Sequence, residues 1–169
     1  MRHKRRAKIS KMIFIYFLIT VGTFLIMEGI TWLTHRFVMH GFGWYFHNDH
    51  HNPNHKIFEK NDFFFVVFAV PSFLLMLFGA NAGFDWRFFF GLGIMLYGMA
   101  YFLVHDVLIH QRFPWFKRTD NIYFRGLRKA HKIHHKHLGK EDGECFGMLY
   151  VPYKYFREAA AYKKNINKK

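Results

Sequence analysis

Ten of the thirteen histidines in this 169-residue chain fall into four groups: His35 and His40 (HRFVMH), His47, His50 and His51 (HNDHH), His105 and His110 (HDVLIH), and His131, His134 and His135 (HKIHH). A neutral imidazole offers one nitrogen lone pair to a metal while its other nitrogen donates outward, so metal binding is the first chemistry these groups point to. His-x-x-His-His on a helix places residues i, i+3 and i+4 side by side, and two such triplets can present six imidazoles toward one centre. His-x4-His behaves differently. Five residues advance about 500°, which leaves the two rings about 140° apart on a regular helix. A break, a helix end or a π-bulge is therefore expected inside each pair; a π-bulge realigns i with i+5 and is frequent at functional sites. His3, His55 and His137 stand outside the pattern and read as surface or supporting residues.

One such group alone is more often a solvated face or a headgroup anchor than a site. Four groups, with the HxxHH pattern twice, read as a metal centre. Ten imidazoles exceed what one ion can take, so two ions sharing about five each is the natural count. Imidazole suits iron, copper, zinc and nickel alike. A structural zinc site is closed at four ligands and needs neither so many histidines nor a membrane. Two redox-active irons fit the set better, because such a centre can activate oxygen. The single Cys145 excludes an intrachain disulfide and a thiolate-rich site. Asp49 and Asp106 lie inside the groups; either they orient imidazole N–H groups from behind or they are ordinary solvated or capping residues. Glu28 lies in an apolar run, where an ionisable side chain is costly and functional by default, unless it is near enough to the interface to snorkel.

The elements that must position these groups are apolar helices. The chain is 51% hydrophobic and 21% aromatic, with 23 Phe, yet carries 25 Lys+Arg against 11 Asp+Glu for a net charge of +14. A membrane protein segregates such populations along the chain. Nucleic-acid binding is disfavoured, because the aromatics fall in long apolar runs and do not interleave with the basic residues. Residues 1–11 form a basic head with six Lys/Arg; 12–33, 63–80 and 88–104 are apolar runs, the last two without a charge. Each is long enough to cross most of a ~30 Å hydrocarbon core as a helix. Strands are not expected, since they would have to alternate in polarity and close a barrel. The link 81–87 (NAGFDWR) is a tight turn that makes a hairpin of the second and third runs. The predicted fold is an all-α integral membrane protein of three to four transmembrane helices, with the His-rich di-metal site at the cytoplasmic helix ends. One domain over 1–169 is expected, with the head at 1–11 and a basic tail at 153–169. Residues 1–30 have no A-x-A-like site and are expected to be retained.

Sidedness is contested within the sequence. A hairpin puts 34–62 and 105–169 on one side, and the latter holds 15 Lys/Arg, so that side should be cytoplasmic. If the first run also spans, the basic head lies outside, against the same tendency; otherwise that run is re-entrant or tilted along the interface. Arg112, Lys117, Arg118, Arg125, Arg128, Lys129 and Lys132 share the presumed cytoplasmic face. They can dock an acidic electron carrier, or simply reflect positive-inside topology and contact with anionic lipid.

The groups and their surroundings resemble the membrane fatty-acid hydroxylase and desaturase superfamily, and within it the bacterial β-carotene hydroxylase branch. The resemblance is carried by MEGITWLTHRFVMHGFGWYFHNDHH (27–51), FEKNDFFFVVFA (58–69), YFLVHDVLIHQRFPW (101–115) and AHKIHHKHLGKEDGECFGMLYVP (130–152), and covers about residues 13–152. It implies hydroxylation of the β-ionone ring at carbon 3, from β-carotene through β-cryptoxanthin to zeaxanthin, with keto-carotenoids as further substrates. It also implies two irons per chain held by the ten grouped histidines, O2 as co-substrate, and electrons from reduced ferredoxin fed by NAD(P)H. The substrate would come from the lipid of a bacterial inner membrane. The stretch GKEDGECFG departs from the branch by a residue or so, which puts only local loop geometry in doubt.

Two rival readings remain at this level. A fatty-acyl or sterol hydroxylase or desaturase uses the same oxidant, and box spacing alone does not separate it. A His-rich metal transporter should place polar residues near the midplane of its spans. Runs 63–80 and 88–104 hold no His, Asp or Glu, which argues against it.

Overall fold

The structure, a computed structural model, describes residues 2–52, 58–113, 115 and 119–166, and these form helices and loops with no strand. Helix α1 (Arg2–Leu33) leads into a π-helical segment (Thr34–Phe42), followed by α2 (Trp44–His51), α3 (Asp62–Asn81) and α4 (Trp86–Phe102). A second π-helical segment (Leu103–Ile109), α5 (Ile122–His134) and α6 (Tyr153–Ile166) complete the order. Three continuous helical stretches are long and apolar enough to cross a membrane: Arg2–Phe42, Asp62–Asn81 and Trp86–Ile109. The first begins ten residues before the apolar run at Met12, because Ala, Lys and Arg in the head are good helix formers and nothing there interrupts the turn.

The chain divides into two compact units. The first holds α1 up to Met27 with Phe64–Met99, that is, most of α3 and α4. Its outward side chains are apolar (Phe14, Phe17 and Leu25 are each about 60% exposed), as expected of a surface meant for lipid. Its inward contacts use small and hydroxylated residues. Thr20 Oγ1 donates to the carbonyls of Tyr16 and Phe89, 3.0 and 3.2 Å away, and Ser72 Oγ donates to Gly91 O at 2.8 Å. A Cβ on Gly93 would lie 2.6 Å from the Thr23 Cβ, so only glycine permits this approach of α1 and α4. Tyr16 stacks on Phe89 with ring centres 4.3 Å apart.

The predicted hairpin turn closes α3 by a Schellman motif. Phe84 N–H reaches Gly79 O at 2.8 Å and Gly83 N–H reaches Ala80 O at 3.0 Å, with Gly83 at φ +81°. Asp85 then opens α4, accepting the Arg87 N–H at 3.0 Å and its guanidinium at 2.7 Å.

The second unit runs over Glu28–Phe63 and from Ala100 onward. Its core gathers Val104, Ile109, Leu127, Ala130, Met148, Val151 and Tyr155. Asn121 caps α5 by accepting the N–H groups of Tyr123 and Phe124, 2.9 and 3.3 Å away. The basic tail is helix α6 over most of its length, packed on α5 with Tyr123 stacked on Phe156. All ten grouped histidines lie in this unit.

Candidate metal centre

Both His-x4-His pairs lie at π-helical turns. His110 N–H bonds to His105 O at 2.9 Å and Gly43 N–H to Val38 O at 2.8 Å, each an i to i+5 bond. The extra residue per turn brings the rings together, with centres 5.2 Å apart for His35 and His40 and 4.5 Å for His105 and His110. The first segment ends where Gly41 leaves helical geometry (φ −108°, ψ −124°) and hands the chain to α2.

The rings sort into two sets. Ligand-capable nitrogens of His35, His40, His47, His51 and His134 lie within 4.8 Å of one another, and so do those of His50, His105, His110 and His131. His135 joins the second set through its Nε2, 2.8 Å from Nε2 of His131, although its ring is 4.5 Å from that of His51. Each HxxHH triplet is thus divided. Helix α2 sends His47 and His51 to the first set and His50 to the second; α5 and its C-cap send His131 and His135 to the second and His134 to the first. The six imidazoles that spacing would allow to face one point divide between two groups. Residue i+3 projects to one side of the i and i+4 pair, so each triplet bridges two positions.

Seven rings are anchored from behind through Nδ1. His35 bonds to Phe146 O (3.1 Å), His40 to Lys140 O (3.1 Å), His51 to His137 O (2.9 Å) and His134 to Glu144 O (2.8 Å). His47 bonds to Asn61 Oδ1 (2.7 Å), His50 to Glu59 Oε2 (2.7 Å) and His105 to Asp106 Oδ2 (3.4 Å). Each acceptor fixes the tautomer: Nδ1 carries the proton and Nε2 a bare lone pair.

Those lone pairs face one another, at 3.1 Å between His35 and His47, 3.2 Å between His40 and His134 and 3.0 Å between His50 and His105. Nε2 of His51 is buried without a partner among the described residues. Converging acceptors without a donor repel, and a cation between them removes the conflict. The donor set therefore fits a pair of metal ions. Burial, then the surrounding imidazoles, lowers His51 to about 4 and His134 to about 3, so these rings are neutral near pH 7, as metal ligands must be.

Asp106 stands behind His105, whereas Asp49 bonds to no ring among the described residues: its Oδ2 accepts the Lys60 N–H at 2.7 Å. Glu28 accepts the N–H groups of Met148, Leu149 and Tyr150 on one oxygen, each at 2.9 Å. Arg112 is 15% exposed and pairs with Asp106 (2.6 Å), Asp62 (2.9 Å) and Glu59 (3.4 Å). Gln111, in left-handed geometry at φ 56°, lies where the chain turns from His110 to Arg112. Arg125, Arg128 and Lys129 contact Asp120, Leu108 O and Glu158; Lys132 is exposed; Lys117, Arg118 and His55 lie outside the described residues. His137 contributes its carbonyl, and His3 is exposed on α1.

Glu59 and Asn61 went unnoticed at the sequence level, although both belong to FEKND, just ahead of the second run. The carbonyls of 137–146 carry no side-chain signal at all. They come from His137 and from the GKEDGECFG loop that follows, where Asp142 and Cys145 adopt left-handed geometry (φ 59° and 62°).

Fold and site together define a helical protein able to hold two metal ions in imidazole cages. The chain belongs to the fatty acid hydroxylase family, whose pattern matches residues 20–153, and it is a hydroxylase of that family. It is 44% identical to a "Beta-carotene hydroxylase" of Pseudescherichia vulneris, over 79% of this chain and 76% of that protein. Similar proteins of the same printed name are those of Pantoea ananas (42%, over 80% and 77%) and Paracoccus sp. strain PC1 (41%, over 80% and 84%). No solved structure matches.

Proposed function

We propose that this chain is an integral membrane β-carotene 3-hydroxylase, converting β-carotene through β-cryptoxanthin to zeaxanthin and accepting keto-carotenoids as well. The names of its relatives supply the substrate class. The observation that carries the chemistry is the pair of inward-facing imidazole sets with their Nδ1 atoms already engaged. His35, His40, His47, His51 and His134 would hold one iron, and His50, His105, His110, His131 and His135 the other. The family match over 20–153 runs through both compact units, which supports one hydroxylase domain.

A di-iron centre, when bound, supplies an oxidant strong enough for an unactivated C–H bond from O2 and two external electrons. The chain's own part is placement. Carbonyls, Asn61, Glu59 and Asp106 hold the rings at fixed angles, and burial of nearly all of them excludes bulk water. Exposed apolar helices allow an apolar substrate to arrive laterally from lipid. Reduced ferredoxin, ultimately fed by NAD(P)H, is the proposed donor, and a bacterial inner membrane with the His face cytoplasmic is the proposed location.

Pigment analysis of β-carotene-producing cells with and without this chain tests the reading. Conversion to mono- and dihydroxy carotenoids is expected. Unchanged β-carotene beside altered fatty acids or sterols would instead support the rival hydroxylase reading.

A further inference from the structure

The acceptors behind the two imidazole sets differ in charge. Every Nδ1 of the first set meets a neutral oxygen: four main-chain carbonyls and the Asn61 amide. In the second set His50 meets the Glu59 carboxylate at 2.7 Å and His105 the Asp106 carboxylate at 3.4 Å. Arg112 ties both carboxylates together and adds Asp62, at 3.4, 2.6 and 2.9 Å. Among the described residues that meet here, one guanidinium faces three carboxylates, a net negative balance. Arg112 also holds Glu59 and Asp106 in place, with Glu59 12% and Asp106 11% exposed, where solvent screens little.

A carboxylate accepting from Nδ1 draws the proton away from the ring and makes Nε2 a stronger electron donor, whereas a carbonyl or amide does so far less. Negative charge nearby further favours the higher oxidation state of a bound metal. Resting on the di-iron reading above, we propose that Glu59, Asp106 and Arg112 are positioning residues that make the two metal positions electronically unequal. The position of His50, His105, His110, His131 and His135 is the one that keeps iron(III); the position of His35, His40, His47, His51 and His134 is the one reduced first. Each reducing equivalent, from dithionite in the test below, turns one iron(III) into iron(II) as dithionite is oxidised. External electrons would thus enter the pair in a set order.

The test uses the full chain in detergent, loaded with iron-57, and reads iron content, Mössbauer spectra and the two midpoint potentials. Wild-type protein with two irons should show two distinct ferrous doublets when fully reduced, and one iron(II) with one iron(III) after a single electron per chain. Glu59→Gln and Asp106→Asn keep an oxygen acceptor but remove the charge, and each should raise the lower potential and narrow the gap. Asn61→Asp adds a carboxylate behind His47 in the first set and should narrow the gap from the other side, by lowering the higher potential. A single doublet in wild type, or a gap unmoved by Glu59→Gln and Asp106→Asn, overturns the inference while leaving the di-iron reading intact. If one of these two does not fold, the other and the wild-type spectra still decide. Fewer than two irons per chain overturns both.

Discussion

A carboxylate oxygen of Glu28 lies 2.9 Å from the main-chain nitrogen of Met148, 120 residues away in sequence, and accepts the next two N–H groups as well. Phe146, two residues before Met148, offers the carbonyl that anchors His35. An acidic residue of the first apolar run thus fastens the loop that sets a ring of the centre.

Glu28→Ala should therefore loosen this loop, at a cost of roughly 2–4 kcal/mol for several charge-assisted hydrogen bonds. Metal content should fall with it, because the acceptor of His35 is displaced. Glu28→Gln keeps an acceptor oxygen and should lose less. Thermal unfolding and metal analysis in detergent measure both; equal behaviour of Ala, Gln and wild type would show that the triple contact does not matter.

Each of the ten grouped histidines, replaced by Ala, should lower turnover by at least ~100-fold, since loss of a ligand outweighs the 10–100-fold typical of its outer partners. His3→Ala and His137→Ala should be mild, the latter because the carbonyl, not the ring, bonds to His51. Near-normal pigment conversion by His134→Ala in well-expressed protein would refute the assignment.

Anaerobically purified protein should carry close to two irons per chain, lost together on chelation, because His47, His50 and His51 on α2, and His131, His134 and His135 at the end of α5, straddle both positions. One tightly held zinc with activity intact would rule out the di-iron account.

Topology is testable in a Cys145→Ser background. Ala82→Cys in the α3–α4 turn should label with an impermeant reagent from outside intact cells, and Lys140→Cys should not. The reverse pattern would place the His face outside and defeat the charge argument.

In cells supplied with β-carotene, the monohydroxylated carotenoid should rise first and zeaxanthin follow. Once one ring carries a hydroxyl, that end prefers the headgroup region and competes for the site, so the second step should be slower per available ring. Time-resolved pigment extraction reads this, and simultaneous appearance of both alcohols from the outset would contradict it.

Much of this molecule is legible in one dimension because the relevant physics is local. Apolar runs of bilayer length become helices wherever they occur, so the spans at 63–80 and 88–104 and the turn at 81–87 could be read directly. The phase of a helix is also local, which is why His-x4-His demanded an irregular turn and the π-helical segments supply it. Spacing, however, states only which rings share a face. Whether six rings meet at one point or divide between two depends on how α2, α5 and the two π segments pack, and that decided the division into two groups. The outer partners follow the same rule. A carbonyl looks alike at every position, so Phe146, Lys140, His137 and Glu144 became visible only once the loop had folded over the rings. Arg112 shows the converse: its charge is plain in sequence, but its place among three carboxylates exists only in the tertiary structure.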